Sequence, residues 1–390
     1  MNSSSLKPRK SGNSKLYPLY FLGFLGMTGI GLISPTIALY ALKLGANELE
    51  IGLIYGIFSA TVVFTMLPFG YLSDLYGKER FLSLSFVIAL ISFISYAFVR
   101  DVPKLILVRG FHGLFISSFY PSAYAMAIAL SSSENRGTIL GLLSLSTSLG
   151  FASGNFLSGI LVESFSFETA FYFCGSLALI GLLIIFTKLK SHSQPSKTQR
   201  SIEIKSKLKL LKSKKLIFIL FNPLIAFYSY GVVYAFFPVY GENLGLTKTV
   251  IGFYLAGYSI ANSLMSALSG KIIDRLGSIF GIASGLVIGA TAYFLLFFSK
   301  ESSLVLMALL IAGISNSLTY LSSQTFLADE VSMSVMGSAI GIFSLFLHIG
   351  MAGGPIVTGI IVSSLGIPFG FLLCSFLMLG TLFGIRVLKS

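Results

Sequence analysis

A single arginine stands inside a long apolar run, Leu105-Ile106-Leu107-Val108-Arg109-Gly110-Phe111-His112-Gly113. Placing a guanidinium in hydrocarbon costs at least about 2.5–3.5 kcal/mol on insertion scales. Arg109 is therefore expected to face a wet cavity or a partner. Its chemistry would be the capture of an anionic group or a part in moving protons; the alternative is a structural arginine bonded to backbone carbonyls. His112 follows one helical turn on, on nearly the same face. With His348 it is one of two imidazoles inside apolar runs that could titrate near neutral pH. All 14 carboxylates fall outside those runs. Proton relays use Asp, Glu or His chains, so a relay here needs His112, His348 or an edge carboxylate such as Glu163. For each histidine a packed, hydrogen-bonded role is the alternative. Zinc-ligand spacing, a Gly-Lys-Ser phosphate loop and a Ser-His-Asp arrangement are all absent, so no enzyme activity, metal or cofactor is expected. Cys174 and Cys374 both sit in apolar runs and do not indicate a disulfide framework.

The elements that must position these residues are membrane spans. The chain has 390 residues, 55% hydrophobic and 11% charged, with a mean hydropathy of +0.88. Soluble domains carry about 25% charged residues, so this chain cannot cover a water-facing surface, which excludes a cytosolic enzyme, a nucleic-acid-binding domain and a disordered protein. A bilayer core of about 30 Å needs roughly 20 apolar helical residues. Twelve segments fit: 16–41, 51–72, 81–99, 105–129, 137–162, 169–187, 216–240, 249–270, 279–298, 303–327, 334–362 and 367–385. They stay apolar throughout, whereas barrel strands alternate over about ten residues. The first is too long for a signal peptide's apolar core and reads as a retained helix behind a polar tail, residues 1–15.

The net charge of +13 is mostly a topology signal. With the N-terminus cytoplasmic, 21 of the 27 Lys and Arg residues fall inside, five fall outside, and Arg109 lies within a span. By the positive-inside rule both termini are expected in the cytoplasm, with the protein in the cell membrane. Ten of the inside charges lie in 188–215, a linker whose residues 201–215 alternate apolar and basic. It is either a short helix on the inner membrane surface or a solvated loop; nucleic-acid binding is not expected.

The chain repeats itself at a shift of 200 residues. Of 19 glycines in residues 1–190, 11 land on glycine, against about two by chance at the overall glycine frequency. Asp74/Asp274, Tyr120/Tyr320 and Cys174/Cys374 align as well. Six spans per half is an even number, so both halves enter the membrane from the same side and are related by an axis along its normal. The expected organisation is a six-helix bundle over 16–187, the linker 188–215 and a second bundle over 216–387.

Two loops and two spans carry a family resemblance. After the second span the chain reads Gly70-Tyr71-Leu72-Ser73-Asp74-Leu75-Tyr76-Gly77-Lys78-Glu79-Arg80, and the second half repeats Gly270-Lys271-Ile272-Ile273-Asp274-Arg275-Leu276-Gly277. Both resemble the signature loop of the major facilitator superfamily, Gly-x-Leu-small-Asp-basic-x-Gly-basic-basic. The Arg109–Gly113 segment is similar to the family's fourth-span pattern, with His112 in the place usually held by Gln. The fifth span, Gly150-Phe151-Ala152-Ser153-Gly154-Asn155-Phe156-Leu157-Ser158-Gly159, resembles the family's antiporter motif, with Asn155 where that motif has Pro. The Pro occurs in the other half, at Gly354-Pro355, beside Gly350. Small residues at this spacing let helices pack closely. The resemblance implies an all-α membrane fold of twelve spans in two pseudo-symmetric bundles. It also implies that the signature loops latch the halves together and release as the transporter changes state, with Asp74 pairing to cations such as Arg80 or Arg136. It further implies a central cavity lined by the first, fourth, seventh and tenth spans.

On that assignment the cavity would be aromatic. Phe227, Tyr230, Tyr234 and Phe237 form a stripe on the seventh span, and Asn316, Tyr320 and Ser323 share a face of the tenth with Gln324, with Tyr120 the repeat mate of Tyr320. Such walls would suit a mostly apolar, partly aromatic solute, while lipid-facing or helix-packing roles are the alternative. The leading expectation is a monomeric secondary transporter that exports small amphipathic compounds by proton antiport. The runner-up is uptake or facilitated diffusion of a small anionic metabolite held by Arg109. A third, from another class, is a non-transporting membrane sensor or scaffold on the same fold.

Overall fold

The computed structural model describes residues 13–132, 134–189, 214–332 and 336–385. Every apolar run becomes a helix: α1 (Asn13–Lys43), α2 (Glu48–Tyr76), α3 (Lys78–Phe98), α4 (Val102–Leu130), α5 (Arg136–Ser164), α6 (Phe167–Ile184, continued by a π-turn over Ile185–Leu189), α7 (Lys214–Asn243), α8 (Lys248–Leu276), α9 (Ser278–Phe298), α10 (Ser302–Glu330), α11 (Met336–Leu365) and α12 (Ile367–Phe383). Eleven are long and apolar enough to cross a membrane, and α12 is a shorter apolar helix of 17 residues. No strand occurs among the described residues. The tail 1–12 and most of the linker, with its proposed surface helix, lie outside them.

Most helices run a few residues past the apolar stretches because polar caps end them. Asn47 and Glu50 close a reciprocal capping box at the start of α2, Asp101 accepts from the Lys104 amide at α4, and Thr247 accepts from the Val250 amide at α8. Each satisfies amide donors that a helix start leaves unpaired. Between α2 and α3, and again between α8 and α9, one residue makes the turn. These are Gly77 at φ +108° and Gly277 at φ +85°, values that side-chain-bearing residues rarely adopt.

The repeat is visible in three dimensions. Helices α2, α3 and α4 have the same bounds as α8, α9 and α10 after a shift of 200. Tyr40 Oη donates to the Val99 carbonyl at 2.6 Å, and its mate Tyr240 donates to that of Ser299 at 2.7 Å. Gly150 and Gly154 lie against the α1 backbone at Phe24 and Thr28, and their mates Gly350 and Gly354 lie against the α7 backbone at Leu224 and Tyr228. The start of α7 and the end of α12 share one face, since a side chain at Gly384 would meet Phe218. We call it the terminal face, and its opposite the far face.

The two halves meet along two seams, α2 with α11 and α5 with α8. Toward the far face both are tight. A side chain at Gly52 would run into the Pro355 carbonyl, one at Gly159 into that of Lys248, and one at Gly359 into the backbone of Glu48 and Leu49. Toward the terminal face the same helices stand apart: Gly141, Gly270 and Gly341 border open space, and Gly70 approaches only Pro121 of its own half. The conformation is closed at the far face and open at the terminal face.

Candidate functional site

Between the halves lies a cavity of about 370 Å³. Helices α2, α5, α8 and α11 build most of its wall, with Phe58, Ser59, Phe151, Tyr258, Ser259, Asn262 and His348 among the residues they contribute. The wall is shared with the first, fourth, seventh and tenth spans expected to line it. Those helices are represented by Met27, Ile30, Ile116, Tyr120, Phe227, Tyr230 and Tyr320. The seam helices prevail because they are the ones that meet across the boundary between the halves, where the cavity itself lies.

The expected site residues divide into wall, second layer and elsewhere. Tyr120, Tyr230, Tyr320 and His348 line the cavity. Phe227 packs edge-on against Tyr320 with ring centroids 5.4 Å apart, Tyr230 lies 4.7 Å from Tyr234, and Tyr120 stacks on Tyr124 at 5.8 Å. Asn316 is in the second layer, where its amide donates to Tyr258 Oη at 3.2 Å and to the Ala226 carbonyl at 3.3 Å. Phe237 is buried away from the cavity, stacked on Tyr254.

Tyr234 joins the halves instead of lining the wall. The Asn155 amide donates to Tyr234 Oη at 3.2 Å and to Ser259 Oγ at 2.9 Å, and the two hydroxyls lie 2.8 Å apart. Ser259 donates its own proton to the Leu255 carbonyl at 2.9 Å, so the Tyr234 hydroxyl donates to Ser259. Every donor in this ring of three is used, and two of its bonds cross from α5 to the other half. Near the far rim, Glu163 Oε2 accepts from the Thr249 amide at 2.7 Å, and the Lys248 ammonium sits 5.3 Å from the centre of the Phe167 ring. These contacts also cross between the halves.

Arg109 does not reach the cavity. It is 2% exposed, with its guanidinium carbon 4.2 Å from the centre of the Phe58 ring and 5.4 Å from that of Tyr55. Of the two outcomes expected for it, the partner is the one observed: Nη1 lies 3.4 Å from His112 Nδ1, which Tyr96 Oη also approaches at 3.1 Å. A guanidinium only donates, so Nδ1 accepts and the imidazole proton sits on Nε2. Arg109 Nε and His112 Nε2 have no partner among the described residues.

The signature loops lie exposed on the terminal face. Asp74 pairs with Lys78 one turn along at 3.7 Å, not with Arg80 or Arg136, and Arg136 Nε bonds to Ser131 Oγ at 3.3 Å. Lys78, four residues on, is the cation nearest to Asp74 in sequence, and Arg136 is engaged by Ser131 within the same half. Asp274 and Arg275 of the second copy are likewise exposed.

Sequence reasoning missed Asn155 as a bridge and the strip Tyr258, Ser259, Asn262 and Ser263 on α8. The strip had a signal: α8 is the least apolar of the spanning helices, and its polar residues recur at one-turn spacing.

Comparison with known proteins agrees with this architecture. The sequence profile described as Major Facilitator Superfamily matches residues 19–331 and, in a second alignment, 219–389. An uncharacterized MFS-type transporter of Methanocaldococcus jannaschii is 30% identical over 361 residues, 90% of this chain and 92% of that protein. The multi-drug resistance efflux pump PmrA of Streptococcus pneumoniae is 24% identical over 66% of this chain and 67% of its own length. Among solved structures, nucleoside transporter NupG superimposes with a TM-score of 0.80 at 17% identity, covering 96% of this chain and 99% of that one.

Proposed function

The chain belongs to the Major Facilitator Superfamily, and on that premise we propose that it is a secondary transporter that exports a small amphipathic solute by alternating access and proton antiport. Membership makes it a multi-pass membrane transporter, not an enzyme. The observation that carries the reading of the solute is the cavity between the halves: aromatic, hydroxyl-bearing, without an Asp, Glu, Lys or Arg among the described residues of its wall, and closed off toward the far face. Pockets of this size and lining suit solutes with a large apolar body and a few polar groups. A relative that is a multi-drug efflux pump supports the outward direction.

His348 is the imidazole in the cavity wall, and we assign it the coupling proton. His112 is the weaker candidate because its Nδ1 is held by Arg109. The charge bias of the loops supports a cell-membrane protein with both termini cytoplasmic, in which case the terminal face is the inner one. The two bundles over 16–187 and 216–387 move as the rocking units and the protein works as a monomer. The anion-uptake alternative loses its main support, because Phe58 stands between Arg109 and the cavity. A proteoliposome assay tests the proposal. A chemically diverse panel is first screened for solutes that raise the melting temperature, and the hits are then followed across the membrane with an imposed pH gradient. Outward movement that accelerates with an inward proton gradient is expected; movement indifferent to the gradient removes the antiport.

A further inference from the structure

Among the described residues no carboxylate pairs with the Arg109 guanidinium. The Lys78–Asp74 and Lys104–Asp101 pairs lie at helix ends. Its repeat mate is Leu309 and that of His112 is Ala312, so the opposite half holds no matching charge. The guanidinium lies behind Phe58, which is itself a wall residue.

We propose that Arg109 is a selectivity-determining residue that repels cations from the cavity without touching the solute, and that the cavity accepts an uncharged aromatic solute with one hydrogen-bond-donating edge. This rests on the transport reading above. For a solute cation about 8 Å from the guanidinium, at an effective dielectric near 20, Coulomb repulsion is worth a factor of roughly thirty in affinity. Tyrosine rings attract cations, but Phe58, the wall ring nearest the charge, already faces the guanidinium. Among the described residues the wall offers no carboxylate to compensate. An anion fares little better, because Arg109 cannot deliver its donors past the Phe58 ring and the neutral hydroxyls of the wall are weaker partners for it than a guanidinium.

The polar strip on α8 sets the character of the solute's edge. The Asn262 amide donates to the Gly313 carbonyl at 3.3 Å, Ser263 Oγ to that of Ser259 at 2.9 Å, and Ser259 Oγ to that of Leu255 at 2.9 Å. With both serine hydroxyls and one of the two Asn262 amide hydrogens engaged, the strip offers acceptors to the cavity, above all Asn262 Oδ1. Across the cavity Met27, Ile30 and Val62 offer an apolar wall. An N–H or O–H edge on an aromatic body satisfies both sides.

Three probes of one shape test this on the full chain in nanodiscs by equilibrium dialysis: 2-naphthamide, 2-naphthoate and trimethyl(2-naphthyl)ammonium. Naphthamide is expected to bind at least tenfold more tightly than either ion. Arg109→Met is expected to raise the affinity for the ammonium probe at least tenfold, with Arg109→Gln as the second variant should the first not fold. Equal or tighter binding of an ion by the unaltered protein overturns the proposal, as does an ammonium affinity unmoved by removing the charge, or no binding of any probe. Counterflow of the bound amide in proteoliposomes is measured separately. Binding without counterflow defeats the transport reading and leaves the charge preference standing.

Discussion

Tyr234→Phe should shift the balance between the two faces of the protein. The change removes one oxygen from the ring of hydrogen bonds that Asn155 makes across the α5–α8 seam. Ser259 still accepts from the Asn155 amide at 2.9 Å, but the second amide hydrogen loses its acceptor at 3.2 Å. Asn155 is fully buried, and a buried donor left unpaired costs about 1–3 kcal/mol. Only the far-closed state bears that cost, because opening the seam lets water reach the amide. The far-open population should therefore rise by roughly 5- to 150-fold. Spin labels on Phe165→Cys and Asn243→Cys, both exposed at the far face on opposite halves, report it as a growing long-distance fraction in double electron–electron resonance. Cys174 and Cys374 are buried and stay unlabelled. In an Asn155→Leu background no amide remains to be orphaned, so the same Tyr234→Phe change should have little effect. An unchanged distance distribution in the single variant, or an equal shift in the Leu background, would refute the reasoning.

Other perturbations follow from the same geometry. Gly159→Val places a branched side chain against the Lys248 backbone across the seam and should hold the far face open; the same spin pair should show the long distance as its main population. His348→Gln should abolish acceleration by a pH gradient while solute exchange without a gradient persists, as measured by counterflow in proteoliposomes. Gly77→Ala forces a side chain onto φ +108° and should cost about 1–3 kcal/mol, seen as a lower melting temperature. Lys78→Ala breaks an ion pair whose members are 27% and 65% exposed, so the melting temperature should barely move, the usual outcome for surface pairs.

The spans were legible because hydrocarbon leaves a chain few options: each backbone group must be bonded within its own segment, so length and apolarity suffice. The duplication was legible for a related reason. Glycines at Gly154 and Gly354 mark close approaches of backbones, and a close approach tolerates no side chain in either copy. Arg109 announced itself as costly, but its neighbours did not, since the Phe58 and Tyr55 rings that flank it lie on another helix some fifty residues away. Asn155 read as a departure from a packing motif; that it bonds Tyr234 and Ser259 depends on how two helices from different halves are brought together.

From the sequence alone came twelve helices, two related halves, the loop motifs and the rarity of charge within the membrane, all of which rest on local composition and on spacing along one chain. Which side chains form the cavity wall, which stand behind it, and which face is shut were decided by the tertiary structure. A helix presents residues on every side, and one apolar or aromatic residue looks like another until a neighbouring helix, lipid or a cavity takes its place beside it.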